Sequence, residues 1–132
     1  IASLTYDKIG DFQSSNDKID LQGTPIFGAA ETRDAIFGGQ NGTISIDASG
    51  KISFSGAGFA NATMAEVLAA VRSIVTGLGE TAIFELDDGL NGPGTFVYQE
   101  NGEADTLIFL AGVEGVVDLS TSGGDGNTIW IM

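Results

Sequence analysis

Between Met64 and Val75 the apolar residues fall at Met64, Val67, Leu68, Val71, Ile74 and Val75, the i, i+3, i+4, i+7 spacing of one helix face. Thr63 with Glu66 three residues later makes a capping box at the start, and Gly77 or Gly79 supplies a stop, so the pattern predicts an amphipathic helix over 63–76. Elsewhere the period is two. TISIDASGKISFSG alternates Ile44, Ile46, Ile52 and Phe54 with Thr, Ser and Lys, and DASG between the halves predicts a hairpin with one buried face. After the helix, TAIFEL, GTFVYQE, DTLIFL, GVVDL and NTIWIM read as five short strands between polar, Gly-rich loops, and a β-meander over 81–132 is the simplest arrangement. LTYDKIGDF and NDKIDLQG read as two further short strands joined by a polar turn. In the last run, Trp130 is expected on one face and Ile129 and Ile131 on the other, in a paired terminal strand preceded by a GGDG turn. The predicted fold class is therefore mainly β, an antiparallel β-sandwich or meander of short strands with one amphipathic helix. No linker divides the chain, so residues 1–132 are expected to form a single domain.

Composition sharpens this picture. The chain has 132 residues, 20 of them glycine, and its hydrophobic share of 42% is enough for a core despite the charge. Eighteen acidic against five basic side chains give a net charge of -13, which repels nucleic-acid phosphate and anionic lipid and attracts cations, so no nucleic-acid partner is expected. The acids are spread from Asp7 to Asp125 rather than clustered in a tail. Without Cys there are no disulfides, zinc-thiolate sites or thiol nucleophiles, and without His the commonest general base and transition-metal ligand are missing. No apolar run reaches the roughly 18 residues of a membrane span, and IASLTYDKIG lacks the regions of a signal peptide. A chain that starts at Ile1 rather than Met reads as a fragment or processed piece of something longer.

Candidate chemistry is sparse. No Ser stands in G-x-S-x-G, and Asp47-Ala48-Ser49-Gly50 has one residue too many for the D-T/S-G of aspartic proteases, so DASG reads as a turn. Glu85, Asp87, Asp88, Glu100 and Asp105 lie in neighbouring strands or loops, but among eighteen acids such pairs arise by chance, and no catalysis is expected. GGDGNT has neither the Lys nor the following helix of a phosphate loop. It also approaches the calcium turn G-G-x-G-x-D-x-U-x, with Gly123, Gly124 and Gly126 in place and Trp130 at U, yet Thr128 stands where the ligand Asp belongs. Asp87, Asp88 and Asn91, with Asp105 across a hairpin, offer oxygen ligands on turns and are kept as a candidate cation cluster.

The stretch YDKIGDFQSSNDKIDLQG resembles the D-x-I-x-D-F-x(n)-D-K-I-D-L segment that follows the last nonapeptide repeats of repeats-in-toxin (RTX) proteins exported by type I secretion. The run TAIFELDDGLNGPGTFVYQENGEADTLIFLAGVEGVVDL is similar to the terminal domains of bacterial surface-layer and other large extracellular proteins of that kind. The resemblance implies that the chain is a C-terminal domain capping an upstream β-roll, with residues 1–22 standing where a calcium roll ends. Asp7-Lys8-Ile9 and Asp17-Lys18-Ile19 each carry the D-x-U half of a calcium turn, with Asn16 and Asp20 as further oxygen donors, so calcium is the implied cofactor. It implies as well a secretion signal in the apolar tail formed by Asn127, Thr128, Ile129, Trp130, Ile131 and Met132, although the acidic residue such tails often carry just before them is here no nearer than Asp125. The implied partners are the type I secretion machinery and upstream calcium-binding repeats of the same polypeptide, and the implied location is extracellular or at the bacterial cell surface. A second expectation is a structural or adhesive domain of a surface layer, acting through lateral contacts and self-association.

Overall fold

The computed structural model describes residues 7–13, 17–87, 89–90, 92–102, 105–116, 119–120 and 128–131, and at Trp130 the backbone alone. The elements are β1 (Asp7–Ile9), β2 (Lys18–Asp20), β3 (Glu31–Phe37), β4 (Gln40–Ile46), β5 (Ile52–Ser55), a 3-10 turn (Phe59–Asn61), α1 (Met64–Ile74), β6 (Thr81–Asp87), β7 (Pro93–Gln99), β8 (Thr106–Ala111), β9 (Leu119–Ser120) and β10 (Thr128–Ile131). The chain is mainly β with one substantial helix, as its periodicities predict. The strands form three sheets, in the orders β1-β8-β7-β6, β2-β10-β9 and β3-β4-β5. Paired strands are antiparallel except β1, which lies parallel to β8 with Ile9 beside Leu110.

The predicted meander holds for β6, β7 and β8 and then stops. β9 and β10 leave that sheet and pair with each other on its other side, where β10 also pairs with β2. The physical reason lies in β6 to β8, whose residues are apolar on both faces, so the sheet needs a cover on each side. One face presents Ala82, Phe84, Phe96, Tyr98 and Phe109 to α1 and to the inner face of β3-β4-β5. The opposite face presents Ile83, Val97, Ile108 and Leu110 to Ile19, Leu119, Ile129 and Ile131. The result is three layers with two cores, separated by the central sheet.

Register aligns Phe84, Phe96 and Phe109 across three strands, with ring centroids 5.2 Å apart for the first pair and 4.5 Å for the second. Gly94 makes room for this row, since a Cβ there would stand 2.7 Å from the Phe109 ring. Phe54 meets Phe84 edge-on at 5.7 Å and so carries the aromatic contact into the β3-β4-β5 layer.

The DASG hairpin forms as read. Ile44, Ile46 and Ile52 are buried, and the Asp47 carboxylate accepts the Ser49 and Lys51 N–H groups at 3.0 and 2.9 Å, an Asx turn. β3 was not part of that expectation. It joins β4 through Gly38 and Gly39, both left-handed at φ 58° and 76°, which is the geometry of a two-residue type I′ turn.

The capping box of α1 is complete. The Thr63 hydroxyl accepts Glu66 N–H at 3.1 Å, and the Glu66 carboxylate accepts Thr63 N–H at 2.9 Å. Val67, Leu68, Val71 and Ile74 are buried, each contributing about 1.5–3 kcal/mol through burial. The helix ends earlier than 76 and without a glycine cap: Val75 is already extended at φ -101° and ψ 92°, which turns its side chain into the core. The N–H groups of Thr76 and Gly77 that follow are taken by the Glu80 carboxylate at 3.1 and 2.9 Å. No helix among the described residues is long and apolar enough to cross a membrane.

Candidate functional site

The first D-K-I triplet is a strand and the second leads into one, but the two strands belong to different sheets. Asp7 lies in β1, an edge strand, with its backbone beside Ile108, and its side chain is exposed. Asp17 precedes β2 and closes a local turn: its carboxylate accepts Gln13 N–H at 2.9 Å and its own N–H reaches Gln13 O at 2.9 Å. Asp20 is exposed in β2, opposite Thr128. Ile19 between these acids points the other way, into the core against Ile129. The D-x-U alternation thus sets carboxylates outward and the apolar residue inward, as strand geometry requires. Asn16 lies outside the described residues.

The second acidic group is not brought together. Asp87 ends β6 opposite Pro93, whereas Asp105 precedes β8 beside the Gln99–Thr106 pair, at the other end of the same seven-residue strands. Asp87 accepts Gly89 N–H at 2.8 Å within its own turn. Asp105 serves the β7–β8 connection: it accepts the Tyr98 hydroxyl at 2.6 Å and Asn101 N–H at 3.0 Å, with Arg72 Nε 3.7 Å away. Burial, and after it the hydrogen bond to Asp105, push the Tyr98 phenol well above its ordinary pKa. Asp88 and Asn91 lie outside the described residues. Among the described residues, no three carboxylates converge on a point where a metal ion would sit.

The tail is a central strand rather than an edge. β10 runs between β2 and β9, with Thr128, Ile129 and Ile131 buried and Trp130 in register with Lys18 and Ser120. Asn127 and Met132, the GGDG turn with Asp125, and the face taken by the Trp130 side chain lie outside what is described.

Several polar residues hold the fold in roles that the sequence pattern did not assign them. Gln99 is fully buried, and its side-chain amide clamps Gly23 from both sides: Gly23 N–H donates to Oε1 at 3.0 Å and Nε2 donates to Gly23 O at 2.9 Å. That clamp and the Ile26–Glu80 bridge fasten the irregular segment 21–30 across the molecule. Glu85 accepts the N–H groups of Gly115 and Val116, fixing the loop after β8. The Lys51 ammonium donates to Val116 O at 2.5 Å from the far hairpin. The only available signal was polarity at an apolar position of a strand, as at Gln99. Compared with protein-family models, with curated proteins and with solved structures, the chain finds no match in any of the three.

Proposed function

We propose that this chain is a non-catalytic C-terminal module of a large secreted RTX-type protein, carrying a type I secretion signal in residues 127–132 and supporting calcium-linked folding outside the cell. The observation that carries the reading is the register of β2 on β10. Ile19, in the segment that resembles the region after RTX repeats, stands opposite Ile129 in the apolar tail, and both are buried. The segment that would follow the repeats and the tail that would address the exporter are thus neighbouring strands of one sheet.

Charge supports the same reading. At a net charge of -13, carboxylate repulsion weighs against the compact state, which suits a chain that leaves the cell before it folds. Calcium bound outside the cell, by the folded state only, shifts the balance toward folding. Asp7 and Asp20, exposed on β1 and β2, and Asp17, exposed just before β2, are the donors offered to such ions. Each D-x-U half needs a glycine-rich partner turn from those repeats.

The test is export of a passenger. Residues 1–132 are fused behind a protein without its own signal, in bacteria that carry a type I exporter. The passenger is expected in the medium, and removal of residues 127–132 is expected to retain it inside. Leu68→Ala, in the other core, destabilises the fold without touching the tail and should still be exported. Undiminished export after removal of the tail would overturn the signal assignment. A second reading, a structural or adhesive domain of a surface layer, would draw its lateral contacts from separate apolar side chains such as Leu78 and Leu90, 74% and 86% exposed at opposite ends of β6. Calcium-dependent self-assembly of the chain, with no export of the passenger, would put that reading first.

A further inference from the structure

β3 is seven residues long and open along one side. Its register on β4 runs without a bulge from Glu31 opposite Ile46 to Phe37 opposite Gln40, and among the described residues no backbone hydrogen bond outside that ladder reaches positions 31–36. In an antiparallel ladder closed by a two-residue turn, the pair flanking the turn exchanges both bonds and the pattern alternates from there. Glu31, Arg33, Ala35 and Phe37 therefore turn their backbone groups toward β4. The N–H and C=O groups of Thr32, Asp34 and Ile36 point outward.

A groove of about 260 Å³ runs beside this edge, where Ala69, Ala70 and Ser73 of α1 face Asp34, Ala35 and Ile36, with Glu66 next to them. Small side chains on the helix keep it open, and Ile36 is 52% exposed at its rim. Strand edges of this length are normally blunted by a bulge, a proline, charged side chains or a covering element; among the described residues β3 has no bulge, proline or covering strand, and its charges are Glu31 and Arg33, paired with each other, and Asp34. A free edge beside a helix groove binds extended peptides as an added strand, with affinity from main-chain bonds and specificity from alternate side chains.

We infer that β3 receives an extended, basic segment of a partner protein as an added strand, seated on Thr32, Asp34 and Ile36 with alternate side chains in the α1 groove. Charge selects this occupant. Asp34, with its side chain exposed on the outer face of β3, and Glu66 of α1 border the groove, no cation lines it among the described residues, and the nearby Arg33 is already paired with Glu31. A second copy is the poorer fit, because symmetric pairing about Asp34 sets two carboxylates directly opposite one another and each copy brings a charge of -13. The segment that fits best has Lys or Arg opposite Asp34 and an apolar residue two positions away, opposite Ile36, since both lie on one face. This inference does not depend on the export reading.

The probes are a capped peptide of about seven residues with Lys and Val two positions apart on one face and Thr elsewhere, its acidic twin with Glu for Lys, and the basic peptide with N-methylated amides. They are titrated into the full 132-residue chain and followed by amide chemical shifts. The basic peptide should shift residues 31–37 and the α1 residues facing them, and bind at least about tenfold tighter than either of the other two. Asp34 is exposed, so Asp34→Lys should keep the fold and reverse the preference toward the acidic twin. Shifts scattered over the acidic surface would overturn the inference, as would binding indifferent to N-methylation or to Asp34→Lys. Concentration-dependent dimerisation through β3 without peptide binding would also overturn it, by giving the edge to a second copy.

Discussion

Glu66 joins two elements with one carboxylate. Besides closing the capping box, it accepts the N–H groups of Gly38 and Gly39 at 3.1 and 3.3 Å, so the start of α1 is tied to the β3–β4 turn. The Thr63 N–H is the largest influence on its carboxyl, followed by that of Gly38, and together they hold it below the ordinary glutamate range. At Asp47 partial burial by itself raises the pKa, but the Lys51 and Ser49 donors outweigh it and the net shift is again downward. A depressed carboxylate stabilises the fold above its unfolded pKa and loses that contribution as pH falls through the folded value. The melting temperature should therefore decline in acid below about pH 4, and Glu66→Gln or Asp47→Asn should each flatten part of that decline. A thermal-melt series against pH checks this, and identical acid slopes in wild type and both variants would show that these donors leave stability untouched. Thr63→Ala, which removes the other half of the box, should cost about 1 kcal/mol at neutral pH.

At the scale of elements, the tight turn between β3 and β4 separates two kinds of glycine requirement. Gly39 has φ 76° with open space around it, whereas Gly38 has φ 58° and a Cβ there would stand 2.6 Å from Gly58 O. Gly39→Ala should cost about 1–2 kcal/mol from the left-handed backbone alone, and Gly38→Ala clearly more, because the backbone at Gly58 must move. Denaturant unfolding of the two variants checks the order, and equal costs would show that the neighbouring chain yields freely. That hairpin also marks where sequence reading reached its limit. α1 and β6 to β8 were legible because burial imposes a period, on one face of the helix and along strands rich in Phe, Ile and Val. In ETRDAIF the first four residues are polar on both faces, for the strand has one side in solvent, and only Gly38-Gly39 signalled a hairpin. Segment 21–30 has no period at all: Leu21 and Phe27 pack into the second core, and its backbone is fastened by Gln99 and by the bridge to Glu80. The Asp87–Asp105 grouping failed for a reason within reach of the sequence: successive loops of a meander lie at opposite ends of its strands. The departure of β9 and β10 from the meander was not legible, because β2, on which β10 pairs, lies about a hundred residues away along the chain.

For the whole molecule, the decisive feature is that the two cores share their strands. Along β6, β7 and β8 alternate residues enter opposite cores, as Ile83 and Phe84 do, or Val97 and Phe96, so neither core can lose its half of the central sheet while the other keeps its own. Pairing across the chain reinforces this, because β1 and β2 complete sheets whose other strands come from the second half. The domain should therefore unfold in a single cooperative transition, although its cores lie on opposite faces of a sheet. Leu68 is fully buried in one core and Ile129 in the other, and each truncation to Ala should cost about 2–5 kcal/mol. Both should lower the same transition, seen alike by far-UV circular dichroism and by amide shifts on either side of the sheet. The residues are separated by the central sheet and share no core, so the double variant should lose close to the sum of the two costs. Two resolved transitions, one sensitive to Leu68→Ala and the other to Ile129→Ala, would show instead that β2, β9 and β10 form a detachable layer. The tail could then open while α1 and the aromatic row stay folded.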